Sequence, residues 1–95
     1  MTYAKKTDNN QKLIVKALRD YGADVFLLHM VGKGIPDALI AYNDQTILME
    51  IKDGVDKKLT PDQIKLFATW QGGPLHRVNS CEEAISVLKL YELEE

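Results

Sequence analysis

The stretch Gly32-Lys33-Gly34-Ile35-Pro36-Asp37-Ala38-Leu39-Ile40-Ala41-Tyr42, the pair Asn43-Asp44, and then Ile47-Leu48-Met49-Glu50-Ile51-Lys52-Asp53-Gly54 decide how this chain folds. Two apolar runs flank a two-residue turn of favoured hairpin chemistry, which predicts paired strands over 37–42 and 46–52. Side chains alternate faces along a strand, so Leu48, Glu50 and Lys52 share one face while Ile47, Met49 and Ile51 share the other. A carboxylate and an ammonium inside a core strand are costly unless they are paired or bound to something. Asp37 and Glu50 are nearly symmetric about the turn, so antiparallel pairing brings both to one end of the hairpin.

Working outward, residues 25–31 (Val-Phe-Leu-Leu-His-Met-Val) form a continuous apolar run that predicts a strand. His29 is expected to be packed or hydrogen-bonded there, since no second histidine lies at metal-ligand spacing. Further upstream, Leu13, Ile14, Ala17, Leu18 and Tyr21 recur at helical spacing, opposite Lys12, Lys16, Arg19 and Asp20. Asp8 and Asn9 are expected to cap this first helix and Gly22 to stop it, leaving residues 1–7 as a loose arm. Asn10 and Gln11 then sit at the core edge of the helix start, either as part of the cap or as polar groups of a site.

Downstream of the hairpin, residues 53–58 form a polar loop. Thr60-Pro61-Asp62-Gln63 opens a second helix, with Thr60 as N-cap, Pro61 at the first helical position and Gln63 completing a capping box. Ile64, Phe67, Ala68 and Trp70 are its expected apolar side, and Gly72-Gly73-Pro74 its end. Residues 75–78 predict a short fourth strand. Ser80 caps a third helix, expected from Cys81 to about Tyr91 and packed through Ala84, Ile85, Leu88 and Tyr91. The order is α-β-β-β-α-β-α. The first three strands, joined by short loops, should make an antiparallel meander, and the third and fourth a right-handed parallel crossover. The expectation is an α/β fold in one domain over residues 1–95, a mixed four-stranded sheet flanked by helices.

Composition narrows the function. Ninety-five residues suffice for one small core and not for two. No apolar run approaches the ~20 residues of a membrane span, and the Lys-rich start lacks the hydrophobic stretch of a signal peptide, so a cytoplasmic location without membrane contact is expected. The single cysteine, Cys81, excludes an internal disulfide and a cysteine-based zinc site, and reads as half-buried at a helix start. Net charge is −2, which gives nucleic-acid binding no support by itself. The distribution is uneven, however: residues 82–95 hold five Glu and one Lys, leaving eleven basic and nine acidic side chains in residues 1–81. A weakly positive face is compatible with that balance, as is plain solvated charge.

Phosphodiester hydrolysis asks a protein mainly for divalent cations and an activated water. Mg²⁺ takes hard oxygen ligands and keeps several waters, so two carboxylates suffice. Asp37 and Glu50 can supply them, and the main-chain carbonyl of Ile51 a third oxygen. Lys52, one pleat beyond Glu50, can orient or deprotonate the attacking water or stabilise the pentavalent phosphate. Against this, Pro-Asp is a common turn dipeptide, and Glu50 and Lys52 also fit an edge-strand ion pair of little worth. Lys33 in the glycine loop and Lys57-Lys58 after the third strand are either phosphate contacts or solvated charge.

Gly34-Ile35-Pro36-Asp37, Met49-Glu50-Ile51-Lys52 and Leu59-Thr60-Pro61-Asp62-Gln63 together resemble the PD-(D/E)XK nucleases, and within them the VRR-NUC group of small phage and repair-associated nucleases. The resemblance runs from the Asn10-Gln11 helix through Lys33-Gly34 and Trp70 to Ser80. It implies the restriction-endonuclease-like αβββαβ core, Asp37 and Glu50 as metal ligands, Lys52 as the catalytic lysine, and Gln63 beside them from the second helix. It also implies Mg²⁺ or Mn²⁺ as cofactor and DNA, branched or duplex, as substrate. Stand-alone members resemble Holliday-junction resolvases that cut branched DNA as homodimers. Many relatives carry a glutamate on the first helix where this chain offers only Asn10 or Gln11, and an amide binds Mg²⁺ more weakly than a carboxylate. The expected function is therefore a structure-selective, metal-dependent DNA endonuclease. The alternatives are a non-catalytic nucleic-acid or protein-binding module on a nuclease fold, and a restriction-like toxin or subunit that needs a partner.

Overall fold

The computed structural model describes residues 5–92, with side chains from residue 10. Its elements are α1 (Lys5–Tyr21), β1 (Asp24–Leu27), β2 (Ala38–Tyr42), β3 (Gln45–Ile51), α2 (Pro61–Thr69), β4 (Leu75–Val78) and α3 (Cys81–Leu90). The expected order is therefore present, with several shifted boundaries. Helix α1 already includes Lys5 to Thr7, so Asp8 and Asn9 lie within it rather than capping it, and the arm, where described, is helical. Nothing between Lys5 and Asp8 breaks a helix, and Lys is a good helix former. Gly22 ends α1 as expected. It has φ +117 and donates to the Arg19 carbonyl, while Ala23 donates to Leu18, the paired bonds of a Schellman turn.

The two-residue turn sets the centre of the sheet. Asn43 and Asp44 have φ of 52 and 65, the left-handed pair of a type I′ turn, and these two residue types tolerate that conformation best after glycine. The turn fixes antiparallel β2·β3 pairing from Tyr42↔Gln45 to Ala38↔Met49. Strand β1 joins β2 antiparallel, and β4 joins β3 parallel from Leu48↔Leu75 to Ile51↔Val78. The sheet order is β1-β2-β3-β4. Strand β1 stops at Leu27, short of the expected Val31. Residues 29–31 form a turn instead, in which Val31 donates to the Leu28 carbonyl, and His29 stands exposed rather than packed. Continuity of apolar residues there overstated the strand, because only Val25 finds the core.

One face of the sheet is apolar throughout. Ile14, Val15 and Leu18 of α1 and Ala84, Val87 and Leu88 of α3 pack against Val25, Ala38, Ile40, Ile47, Met49, Ile51 and Val78. The opposite face of β3 carries Leu48 and Glu50, both buried. Helix α2 buries no residue fully: Leu66, Phe67 and Trp70 are half-buried, while Ile64 and Ala68 of the expected apolar side are exposed. Its nine residues are too few to be stable on their own, so its position must come from tertiary contact. One such contact is with the glycine loop. Gly34 has φ +79, and a Cβ built on it would stand 2.7 Å from the backbone C and O of Asp62. Among the described residues, no helix is long and apolar enough to cross a membrane.

Gly34→Ala therefore meets both a left-handed backbone and a backbone clash, whereas at Gly73 (φ +105) a Cβ meets nothing within 4 Å. In denaturant unfolding, Gly73→Ala is expected to lose about 1–2 kcal/mol and Gly34→Ala about 3 or more. Equal losses would mean that the Gly34–Asp62 approach does not hold α2.

Candidate active site

Asp37 ends the hairpin at the edge reached by β3. The Ile51 N–H donates to Asp37 Oδ2 at 2.8 Å, and the Asp37 carbonyl accepts from Leu28 N–H at 2.8 Å. Continuing the β2·β3 register by two residues sets Asp37 opposite Glu50 and Pro36 opposite Ile51. Position 51 faces β2 with both its N–H and its C=O, as every second residue of an antiparallel pair does. Proline has no N–H to give. The Ile51 N–H has gone to the Asp37 carboxylate, and its carbonyl receives no ladder donor from Pro36. The Pro-Asp dipeptide thus orients one carboxylate and leaves one main-chain oxygen open beside it.

Glu50 stands on the next pleat with only 2% of its surface exposed, the one buried charged residue of the core region described. Its Oε2 accepts from Gln63 Nε2 at 2.9 Å and lies 3.5 Å from Lys52 Nζ. Its Oε1 is buried and has no hydrogen-bond partner. Burial, and then the charge of Asp37, push its pKa up to about 7; Lys52 pulls the other way and does not win. A carboxylate that is dehydrated, repelled by a second carboxylate and half unpartnered is a poor arrangement for stability. It is a good one for a hard cation, which would satisfy Oε1, Asp37 and the Ile51 carbonyl together. The donor set fits Mg²⁺ or Mn²⁺. It does not fit a metal that prefers nitrogen or sulfur, since no histidine or cysteine lines the cavity. Because no three His, Cys, Asp or Glu side chains cluster as a metal site among the described residues, a third protein oxygen has to come from the main chain.

Gln63 serves the cap and the site at once. Its N–H donates to Thr60 Oγ1 at 3.2 Å, and its Oε1 accepts from Thr60 N–H at 2.9 Å. The capping box fixes which end of the amide is oxygen, so Nε2 must be the end that reaches Glu50. Gln63 is in this way a donor to Glu50, with its own oxygen engaged elsewhere. Asn10 reaches the site from α1, but as a donor too: its Nδ2 gives hydrogen bonds to the carbonyls of Lys52 at 2.9 Å and Asn79 at 3.4 Å.

These residues surround one cavity of about 340 Å³, which Lys57, Lys58 and Asp53 also line. Asp37, Glu50, Ile51, Lys52, Gln63, Asn10, Lys57 and Lys58 are thus brought together as the sequence suggested. Gln11 is not; it lines a separate groove with Lys12, Val15 and Arg19. Nor is Lys33, which faces a larger hollow of about 470 Å³ with Asp62, Lys65 and Thr69. That hollow holds no carboxylate pair or buried polar atom, so size does not mark the chemistry here. Sequence reasoning missed Arg77, which donates to the Gly54 and Lys57 carbonyls of the loop after β3, and Asn79, whose Oδ1 accepts from Arg77. The signal available was an arginine inside a short strand, where a charge needs a partner.

Comparison with known proteins gives no match: no protein family, no characterised protein and no solved structure matches this chain.

Because the folded-state pKa of Glu50 lies above its unfolded value of 4.5, the native state binds the extra proton between pH 4.5 and about 7. Stability should fall as pH rises through that window and stay low above it, by roughly 1–2 kcal/mol after screening through the cavity mouth. Glu50→Gln should flatten this slope in metal-free unfolding and be the more stable protein at pH 8. Excess Mn²⁺ should raise the melting temperature of the wild type more at pH 8 than at pH 5.5, because the cation needs the ionised form. A metal-free stability that rises from pH 5 to pH 8 would contradict this account of Glu50.

Proposed function

We propose that the chain is a Mg²⁺- or Mn²⁺-dependent endodeoxyribonuclease that hydrolyses phosphodiester bonds. The observation that carries this reading is the buried Oε1 of Glu50, unpartnered beside Asp37 in a cavity that Lys52 shares. A bound divalent cation would neutralise charge on the phosphoryl group and ease deprotonation of the attacking water. The chain's own residues do the rest. Asp37 is held in orientation by the Ile51 N–H. Gln63 fixes the Glu50 carboxylate through Oε2, leaving Oε1 toward the cation site. Lys52 sits one pleat beyond Glu50, where its Nζ can orient the water or meet the non-bridging phosphate oxygens as charge builds on them.

Selection of branched DNA and action as a homodimer rest on the resemblance to VRR-NUC proteins. Two symmetric sites on a dimer suit a junction in which two strands are cut. One observation favours the second reading, a non-catalytic nucleic-acid or protein-binding module. The Asn10 amide nitrogen is engaged by two carbonyls, and among the described side chains α1 lends the cavity only this amide and no carboxylate. The intact set of Asp37, Glu50 and Lys52 favours the enzyme.

Incubation with a four-way junction, a plain duplex and a single strand should give cleavage that requires Mg²⁺ or Mn²⁺, is abolished by chelation, and is fastest on the junction. Asp37→Asn and Lys52→Ala should each lower kcat by roughly 10²–10³-fold while leaving junction binding in place. Full activity in Asp37→Asn would overturn the reading. Binding that is indifferent to metal, with no cleavage at any time, would support the binding module instead.

A further inference from the structure

Two side chains outside the carboxylate cluster hold the backbone that carries its lysines. The first acts on Lys52. The Lys52 N–H donates to the Val78 carbonyl of β4 at 2.9 Å, and the Lys52 carbonyl accepts from Asn10 Nδ2 of α1 at 2.9 Å. The two peptide groups flanking the Lys52 Cα are therefore each tied, although β3 itself ends one residue earlier. The second acts on the loop. Arg77 is the β4 neighbour of Glu50, and its Nη2 donates to the carbonyls of Gly54 at 3.2 Å and of Lys57. The Lys57 N–H donates back to the Gly54 carbonyl at 3.1 Å, so one guanidinium closes that turn at both ends. Asn79 connects the two ties. Its Oδ1 accepts from Arg77 at 3.3 Å, its carbonyl accepts from Asn10, and its N–H is held by Glu83 Oε1 at 2.6 Å. Several carbonyl and amide acceptors around one side chain call for the fixed fork of an arginine, which a lysine's single ammonium cannot reproduce.

The geometry points to Asn10 and Arg77 as two positioning residues with separate kinetic effects. Asn10 holds Lys52 in place for the chemical step, and Arg77 holds Lys57 and Lys58 against the DNA backbone flanking the scissile bond. This rests on the nuclease reading. The two effects separate because Lys52 acts on charge that develops in the transition state, whereas phosphate contacts made by Lys57 and Lys58 stabilise bound substrate and transition state alike. Losing the first lowers kcat. Losing the second weakens binding and its dependence on salt, since fewer counterions are then released.

The test uses the full chain and its Asn10→Ala, Arg77→Gln and Arg77→Lys variants. It reads Mn²⁺-dependent cleavage of a four-way junction, junction affinity in chelator at several salt concentrations, and amide hydrogen exchange. Asn10→Ala should lower kcat ~10-fold or more with affinity unchanged, and speed exchange of the Lys52 amide. Arg77→Gln should weaken affinity ~10-fold, reduce the salt slope by about 1–2, and speed exchange over residues 54–57, with kcat within about threefold of wild type. Arg77→Lys should recover less than half of the lost affinity. Full recovery by lysine, equal effects of both variants on kcat and affinity, or unchanged exchange at Lys52 and residues 54–57 would each overturn the assignment. A wild type that does not cut, but shows these exchange and affinity changes, supports the two ties and removes the nuclease reading instead.

Discussion

The constraint on which this molecule depends is the burial of one carboxylate, Glu50, beside another. Dehydration and the charge of Asp37 together raise its pKa to about 7, and the Lys52 ammonium 3.5 Å away does not cancel them. Around that cost the neighbouring contacts acquire a common sense. Ile51 N–H orients Asp37, Gln63 Nε2 holds one Glu50 oxygen, and Pro36 withholds a donor from the Ile51 carbonyl. Each leaves an oxygen pointing into the same cavity rather than satisfying it within the protein. A chain selected for stability alone would place a leucine at position 50, since a well-packed apolar side chain there would remove both penalties.

The sheet divides the work between its faces. On one, α1 and α3 close an apolar core through Ile14, Leu18, Ala84 and Leu88. On the other, α2 buries none of its residues and is anchored by polar and steric contacts at its first turn. Gly34 lies against Asp62, and Gln63 reaches Glu50 while closing the capping box. The helix contributes little to the core and much to the orientation of one amide.

How legible all this was in the sequence depended on the range of the interaction. The hairpin was readable because Asn43-Asp44 is a local signal and the strand period of two carries register with it. Asp37 and Glu50 followed from symmetry about that turn, and the capping box from four consecutive residues. The start of α1 was misplaced because Asp8 and Asn9 look like caps wherever they fall, and only the upstream turn decides whether they serve as such. His29 was misread because an apolar run does not reveal where its strand leaves the sheet. Arg77 and Asn79 escaped notice for a different reason. Arg77 bonds the backbone carbonyls of Gly54 and Lys57, which carry no sequence signature, and Asn79 is drawn in only through the side chains of Arg77, Asn10 and Glu83.

The two-residue turn between β2 and β3 has a consequence for the order of events during folding. Closing it joins residues already adjacent along the chain, and hairpins of this kind form in roughly 1–10 μs. Asp37 and Glu50 are thereby brought face to face by a local step. Asn10 must find a carbonyl 42 residues away, and Arg77 carbonyls 20 and 23 residues away, contacts that involve larger loop closures. The acidic pair is thus assembled by the fastest part of the chain, and the groups that aim its lysines arrive with the slower closure of the sheet.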